Sequence, residues 1–140
     1  MTLTQDQPRH QILILAVERD PHVRKFEQFF LEEAGYRVEF IDNGEQALEQ
    51  ARLLLPDILL AEIMIPRLDG LSVCRALKSD PATQHIAVLI FSILSAEDRA
   101  HEAGADAFLK KPLDDVALIR SIGQLLAQHT PTKRNASGAN

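Results

Sequence analysis

The sequence predicts an α/β fold: a five-stranded parallel sheet, doubly wound, with five helices. Three observations predict it. The runs QILILAV (11–17), DILLA (57–61) and IAVLIF (86–91) are almost continuously apolar, as strands buried on both faces are. Helical patterns separate the runs, and Gly35, Pro56 and Gly104 stop three of them. Strand and helix alternate five times, which calls for parallel strands, right-handed crossovers and helices on both faces of the sheet.

The elements follow in order. After QILILAV, Asp20 and Pro21 open a helix, an acidic cap followed by proline at the first helical position. HVRKFEQFFLEEAG carries Val23, Phe26, Phe30 and Leu31 at helical spacing. YRVEFI (36–41) is a second strand with partial alternation, and Asn43-Gly44 punctuates. EQALEQARLLL (45–55) is the second helix and DILLA the third strand. A Pro- and Gly-marked loop follows, then the helix LSVCRALKS (71–79) and the strand IAVLIF. Ser95-x-x-Asp98 resembles a capping box with Asp in place of Glu and opens a short helix. ADAFLKK (105–111) is the fifth strand, Pro112 interrupts, and LDDVALIRSIGQLLAQ (113–128) is the closing helix. Residues 1–10 read as an N-terminal extension, 11–128 as one domain, and HTPTKRNASGAN (129–140) as a disordered tail.

Bulk properties narrow the function. A chain of 140 residues, 46% hydrophobic and 25% charged, has a globular composition and suits one domain. A net charge of -5 argues against a nucleic-acid or anionic-membrane partner, since both favour a basic face. The single cysteine, Cys74, excludes an intrachain disulfide and reads as a small core side chain. No apolar run approaches the ~20 residues of a membrane span, and MTLTQDQPRH has no signal-type apolar segment, so the expectation is a cytoplasmic protein. His10, His22, His85, His101 and His129 lack the spacing of metal ligands.

In open parallel sheets, ligands bind beyond the carboxyl ends of the strands. The residues there are Glu18, Arg19 and Asp20 after the first strand, Glu62 after the third, Ser92 after the fourth, and Lys110-Lys111-Pro112 after the fifth. Carboxylates, a hydroxyl and a lysine at neighbouring strand ends suit a divalent cation and a phosphoryl group.

The segments ILAVERDPHVR, EEAGY, DNGEQALE, PDILLAEIMIPRLDG, SVCRALK and AGADAFLKKPLD, taken together and in this order, resemble a receiver domain of bacterial two-component response regulators. The likeness covers Gln11 to Gln128. It implies a flavodoxin-like sheet of strand order 2-1-3-4-5 and a signalling module rather than an enzyme. In such domains a phosphoryl group passes from a kinase histidine to an aspartate ending the third strand, with Mg²⁺ held by that aspartate and an acidic pair after the first. A Ser or Thr and a Lys contact the phosphoryl oxygens, and an aromatic on the fifth strand turns inward. The matches here are Ser92 for the hydroxyl switch, Phe108 for the aromatic, Lys111 for the lysine, and Asp69-Gly70 for the end of the loop. Lys111-Pro112 is a candidate cis peptide.

Two departures carry the functional argument. The phosphoacceptor position is Glu62, and the acidic pair is Glu18-Arg19. Glutamate moves the nucleophile by a methylene, which spoils an in-line geometry. A guanidinium beside Mg²⁺ removes an oxygen ligand and adds repulsion of about 4 kcal/mol per charge product at ~4 Å and an effective dielectric near 20. The expectation is a single-domain atypical receiver acting as a protein-interaction module without phosphorylation, and with no cofactor. Any residual metal site would draw on Glu18, Glu62 and the Met64 backbone. Arg19 is expected to pair with Glu62, and Lys111 with Glu18 or Glu62. Beside this stand polar residues retained without a role, and a glutamate that mimics a phosphorylated aspartate.

The alternative function is a phosphorelay acceptor using Glu62 or a nearby acid, with Mg²⁺ as cofactor. A flavin or nucleotide binder would need a glycine-rich first loop, and ERDPHV has none. The implied partner is a sensor kinase or downstream effector at the fourth-helix, fifth-strand, fifth-helix face, or a second copy there. The stretch from Ser92 to Lys111 is a few positions shorter than the family usually has, and the loss falls on that face.

Overall fold

The structure, a computed structural model, describes residues 11–112 and 114–138, with side chains through 128. The elements are β1 (Leu13–Val17), α1 (Pro21–Glu33), β2 (Arg37–Ile41), α2 (Gly44–Leu54), β3 (Ile58–Ala61), α3 (Gly70–Lys78), β4 (Ala87–Ser92), α4 (Glu97–Glu102), β5 (Ala107–Lys110) and α5 (Asp115–Gly138). The five strands are all parallel and stand in the order β2-β1-β3-β4-β5. This is the expected doubly wound, flavodoxin-like order.

The unbroken apolar strands follow from two cores. Leu15 and Val17 of β1, with Leu59 and Ala61 of β3, face a layer containing Ala47, Ala51, Leu71, Cys74, Leu77 and Ala100 from α2, α3 and α4. The alternate residues Ile14, Ala16, Ile58 and Leu60 face Val23 and Leu31 of α1 and Leu118, Ile122 and Leu125 of α5. Each central strand is covered twice, so period-2 polarity never develops. Cys74 is fully buried, and its Sγ contacts the Ala103 carbonyl at 3.3 Å.

Local signals set the helix ends. Asp20 caps α1 by accepting from His22 N at 2.9 Å, with Pro21 at the first position. Asn43 caps α2 through Gln46 N, and Asp69 caps α3 through Ser72 N. The capping box expected at Ser95-x-x-Asp98 does not form. Ala96 occupies the cap with no side-chain hydrogen bond, because α4 starts at Glu97 and Ser95 lies one residue too early.

Two further differences have physical causes. Glu27 is 1% exposed on α1, whose buried stripe is Val23, Glu27 and Leu31; the helical period carries a carboxyl inward where the sequence pattern favours Phe26 and Phe30. The helix α5 runs to Gly138, where a disordered tail is expected from residue 129; adding a residue to an existing helix needs no new nucleus. The N-terminal extension expected over residues 1–10 lies outside the described residues.

Candidate functional site

The sheet register brings the strand-end residues to one edge. Val17 stands opposite Ala61, and Ala61 opposite Ile90. The next residues extend the ladder: Glu62 N donates to Val17 O at 3.1 Å, Glu18 N to Ile41 O at 3.0 Å, and Lys111 N to Ser92 O at 2.8 Å. Glu18, Glu62, Ser92 and Lys111 therefore converge without help from loops. Glu18, Glu62 and Lys111 border a cleft of about 440 Å³ that Arg19, Asp20, Met64 and Ile93 also line.

Three of these groups are almost fully withdrawn from water: Glu18, Glu62 and Ser92 are 4%, 6% and 0% exposed. Buried charges persist only when paired. Lys111 Nζ supplies the pairing, 3.0 Å from Glu18 Oε1 and 3.0 Å from Glu62 Oε1. Glu18 Oε2 also accepts from Asp20 N at 3.1 Å. Glu62 Oε2 accepts from the Ser92 hydroxyl, from Ile63 N at 2.6 Å and from Met64 N at 3.2 Å, while Oε1 accepts from Ile93 N at 3.3 Å. Burial raises the Glu62 pKa, but the Ser92 and Lys111 hydrogen bonds and the Lys111 charge outweigh it and hold the carboxyl below its ordinary value. Burial likewise lowers Lys111, and its two carboxylate partners more than reverse that.

Arg19 behaves differently from the expectation. It is exposed at the cleft wall and forms no ion pair among the described residues; the anticipated Arg19–Glu62 pair is absent. Glu62 is already saturated with donors, so a second cation would lose its hydration for little return. The Lys111 pairing forms with both carboxylates rather than one. The Lys111–Pro112 peptide is cis. Phe108 stands apart from the cluster, packed against the core and lining a second groove of about 520 Å³ with Ser95–Arg99, Leu109 and Lys110.

Other contributors had little or no side-chain signal. The amides of Ile63, Met64 and Ile93 are backbone donors, invisible in residue type. Arg24 donates through Nε to Glu18 O at 2.6 Å and lies over the Phe40 ring at 5.2 Å, bracing the β1 end from α1. Gly70 permits a close approach: a Cβ there would stand 2.3 Å from Glu62 O, so α3 presses directly on the Glu62 backbone. The pattern Asp69-Gly70 announced that turn.

A family model, the response regulator receiver domain, matches residues 14–123. The chain belongs to the response regulator receiver family. Response regulator PleD of Caulobacter vibrioides is 44% identical over 93 residues, 64% of this chain and 20% of that protein. Response regulator MprA of Mycobacterium leprae is 40% identical over 119 residues, 84% of this chain and 52% of that protein. The receiver therefore spans between a fifth and about half of these two relatives. A crystal structure of a putative response regulator from Chloroflexus aurantiacus superposes with TM-score 0.80 at 30% identity, covering 84% of this chain and 99% of that one. Receivers are signalling modules that interact with kinases and effectors. Among the described residues of this receiver, no helix is long and apolar enough to cross a membrane.

Proposed function

We propose that this receiver is atypical: a cytoplasmic protein-interaction module whose output does not depend on phosphorylation. The observation that supports this most is the bonding of Glu62. Its carboxylate oxygens accept five hydrogen bonds and ion pairs, so no lone pair points freely at an incoming phosphorus atom.

The residues present do not fit a divalent cation. Mg²⁺ demands near-octahedral oxygen ligands. Here Lys111 lies between Glu18 and Glu62, and Arg19 stands at the cleft wall. No cluster of three or more His, Cys, Asp or Glu side chains among the described residues suits a metal. The partner is a sensor kinase or a downstream effector that reads the face of α4, β5 and α5, where Phe108 and Lys110 line the groove beside Glu97, Asp98 and Arg99.

The test is a backbone amide NMR titration of the chain with Mg²⁺ and then beryllofluoride, a phosphoryl mimic. The expected result is no movement of the Glu18, Glu62, Ser92 and Lys111 amides. Saturable shifts at those amides would overturn the proposal and return the phosphorelay reading, with Glu62 as acceptor.

A further inference from the structure

Glu27 is a buried carboxyl that the cleft does not use. It is 1% exposed in the stripe Val23, Glu27 and Leu31 of α1, in the layer to which α5 adds Leu118, Ile122 and Leu125. Its Oε1 has no hydrogen-bond partner, and Glu27 joins no ion pair among the described residues. An apolar layer tolerates such a group in its neutral form, because an ionised carboxylate without a partner carries a far larger desolvation cost. Ionisation of Glu27 therefore calls for a cation.

The charged groups that act on it come from α1 and from three strand ends. Glu18 follows β1 and Glu62 follows β3, and both oppose ionisation; Lys111 follows β5 and Arg24 precedes Glu27 on α1, and both favour it. Lys111 is committed, since its Nζ stands 3.0 Å from Glu18 Oε1 and 3.0 Å from Glu62 Oε1. Arg24 holds neutral groups instead: Nε donates to Glu18 O at 2.6 Å, and the guanidinium lies over the Phe40 ring at 5.2 Å. Residues three apart on a helix are neighbours, with Cβ atoms about 5–6 Å apart, so Arg24 and Glu27 are within reach of each other. A carboxylate also offers a guanidinium a stronger, bidentate partner than a carbonyl does.

We infer that Glu27 is a proton-operated switch: neutral, it lies silent between α1 and α5; ionised, it draws the Arg24 guanidinium from the Glu18 carbonyl and the Phe40 ring onto its own carboxylate. The proton leaves to solvent. The end of β1, which carries Glu18 into the cleft, then loses its brace from α1, and Phe40 loses its cation. Burial and the Glu18 charge set the switching pH above the ordinary range of a glutamate. The inference stands apart from the phosphorylation-independent reading, which the Mg²⁺ titration tests.

A pH titration followed by NMR tests it, reading the Glu27 carboxyl carbon, the Arg24 Nε–H group and the Glu18 and Phe40 backbone signals. Between about pH 5 and about pH 9 all four should move with one midpoint. Glu27→Gln keeps the shape of the neutral carboxyl and should hold Arg24 in place throughout that range. Arg24→Gln removes the recruited cation and should raise the Glu27 midpoint by about one pH unit, a tenfold tighter hold on the proton. A Glu27 carboxyl that stays neutral over the whole range would overturn the switch. So would an Arg24 signal that rests while Glu27 titrates, a transition that persists in Glu27→Gln, or a midpoint that Arg24→Gln leaves unmoved. A Lys111 ammonium signal that moves with Glu27 in place of Arg24 would overturn it as well.

Discussion

Replacing Glu27 by leucine should stabilise the domain, and the gain should grow with pH. Glu27 is 1% exposed on α1 between Val23 and Leu31, in the layer that packs against Leu118 and Ile122 of α5. Its Oε1 has no hydrogen-bond partner among the described residues. A buried, unsatisfied polar atom costs about 1–3 kcal/mol, and an apolar side chain of similar size removes that cost while adding buried hydrocarbon. The expected gain is therefore about 2 kcal/mol at neutral pH, large beside a total stability of roughly 5–15 kcal/mol.

The pH dependence supplies the sharper criterion. Burial is the main cause that pushes the Glu27 pKa well above 4.5; the Glu18 and Glu62 charges add to it, and those of Lys111 and Arg24 oppose it. The protonated form thus fits the fold better than the ionised one. Below the unfolded value near 4.5 the group is neutral in both states and nothing is lost. As pH rises from there, the unfolded chain ionises first. Stability then falls by about 1.4 kcal/mol for each further pH unit until the folded pKa is passed. Urea unfolding of wild type and Glu27→Leu at about pH 5 and about pH 8 isolates this group, because other titrations largely cancel between the two proteins. A leucine variant less stable than wild type at both values, or a difference that does not change with pH, would refute the reasoning.

Other outcomes follow from the same geometry. Lys111→Met should cost about 3–5 kcal/mol, since it leaves Glu18 and Glu62 buried without their cation, and the Glu62 carboxyl should then titrate above its wild-type value; denaturant unfolding and carboxyl NMR check both. Gly70→Ala should destabilise by about 1–3 kcal/mol, because its Cβ would press on Glu62 O, and the Glu62 amide should shift in the NMR spectrum. Leu55→Gly should raise thermal stability by roughly 1 kcal/mol: Leu55 closes α2 at φ 46 and is 45% exposed, and glycine takes that conformation freely. Cys74, whose pKa burial lifts to about 11, should resist alkylation in the native state at neutral pH and react on unfolding, as mass spectrometry would show.

The sheet and its order were legible because burial on both faces leaves continuous apolar runs, and QILILAV, DILLA and IAVLIF are such runs. The strand-end residues were legible because a parallel sheet directs its functional groups to one edge, and Glu18, Glu62, Ser92 and Lys111 do converge there. Glu27 was not legible, since residue type places a carboxylate in water and only packing places this one inside. Nor was the conformation of Arg19. Sequence supplies its charge and its neighbours, while the preference for solvent depends on how completely Lys111 and the backbone amides have already satisfied Glu62.

On the proposed reading, charge balance links Glu62 and Arg19, the two departures from the pattern that the receiver resemblance implies. Glu18 and Glu62 bring two negative charges to the cleft, and Lys111 brings one positive charge between them. An acid at position 19 would add a third negative charge and leave a deficit for a divalent cation to fill. Arginine at that position supplies a positive charge instead, on the wall of the same cleft, and the four groups sum to zero. Asp20, which also caps α1, lines the cleft as well and brings the total to -1, against -3 with an acid at position 19. Reverting Glu62 alone to aspartate would therefore shorten the carboxylate while leaving Arg19 to oppose a metal, so Mg²⁺ binding should require Arg19→Asp as well. Isothermal titration of the two single variants and the double variant measures this: heat of Mg²⁺ binding from Glu62→Asp alone would refute charge balance at the cleft as a barrier to the ion.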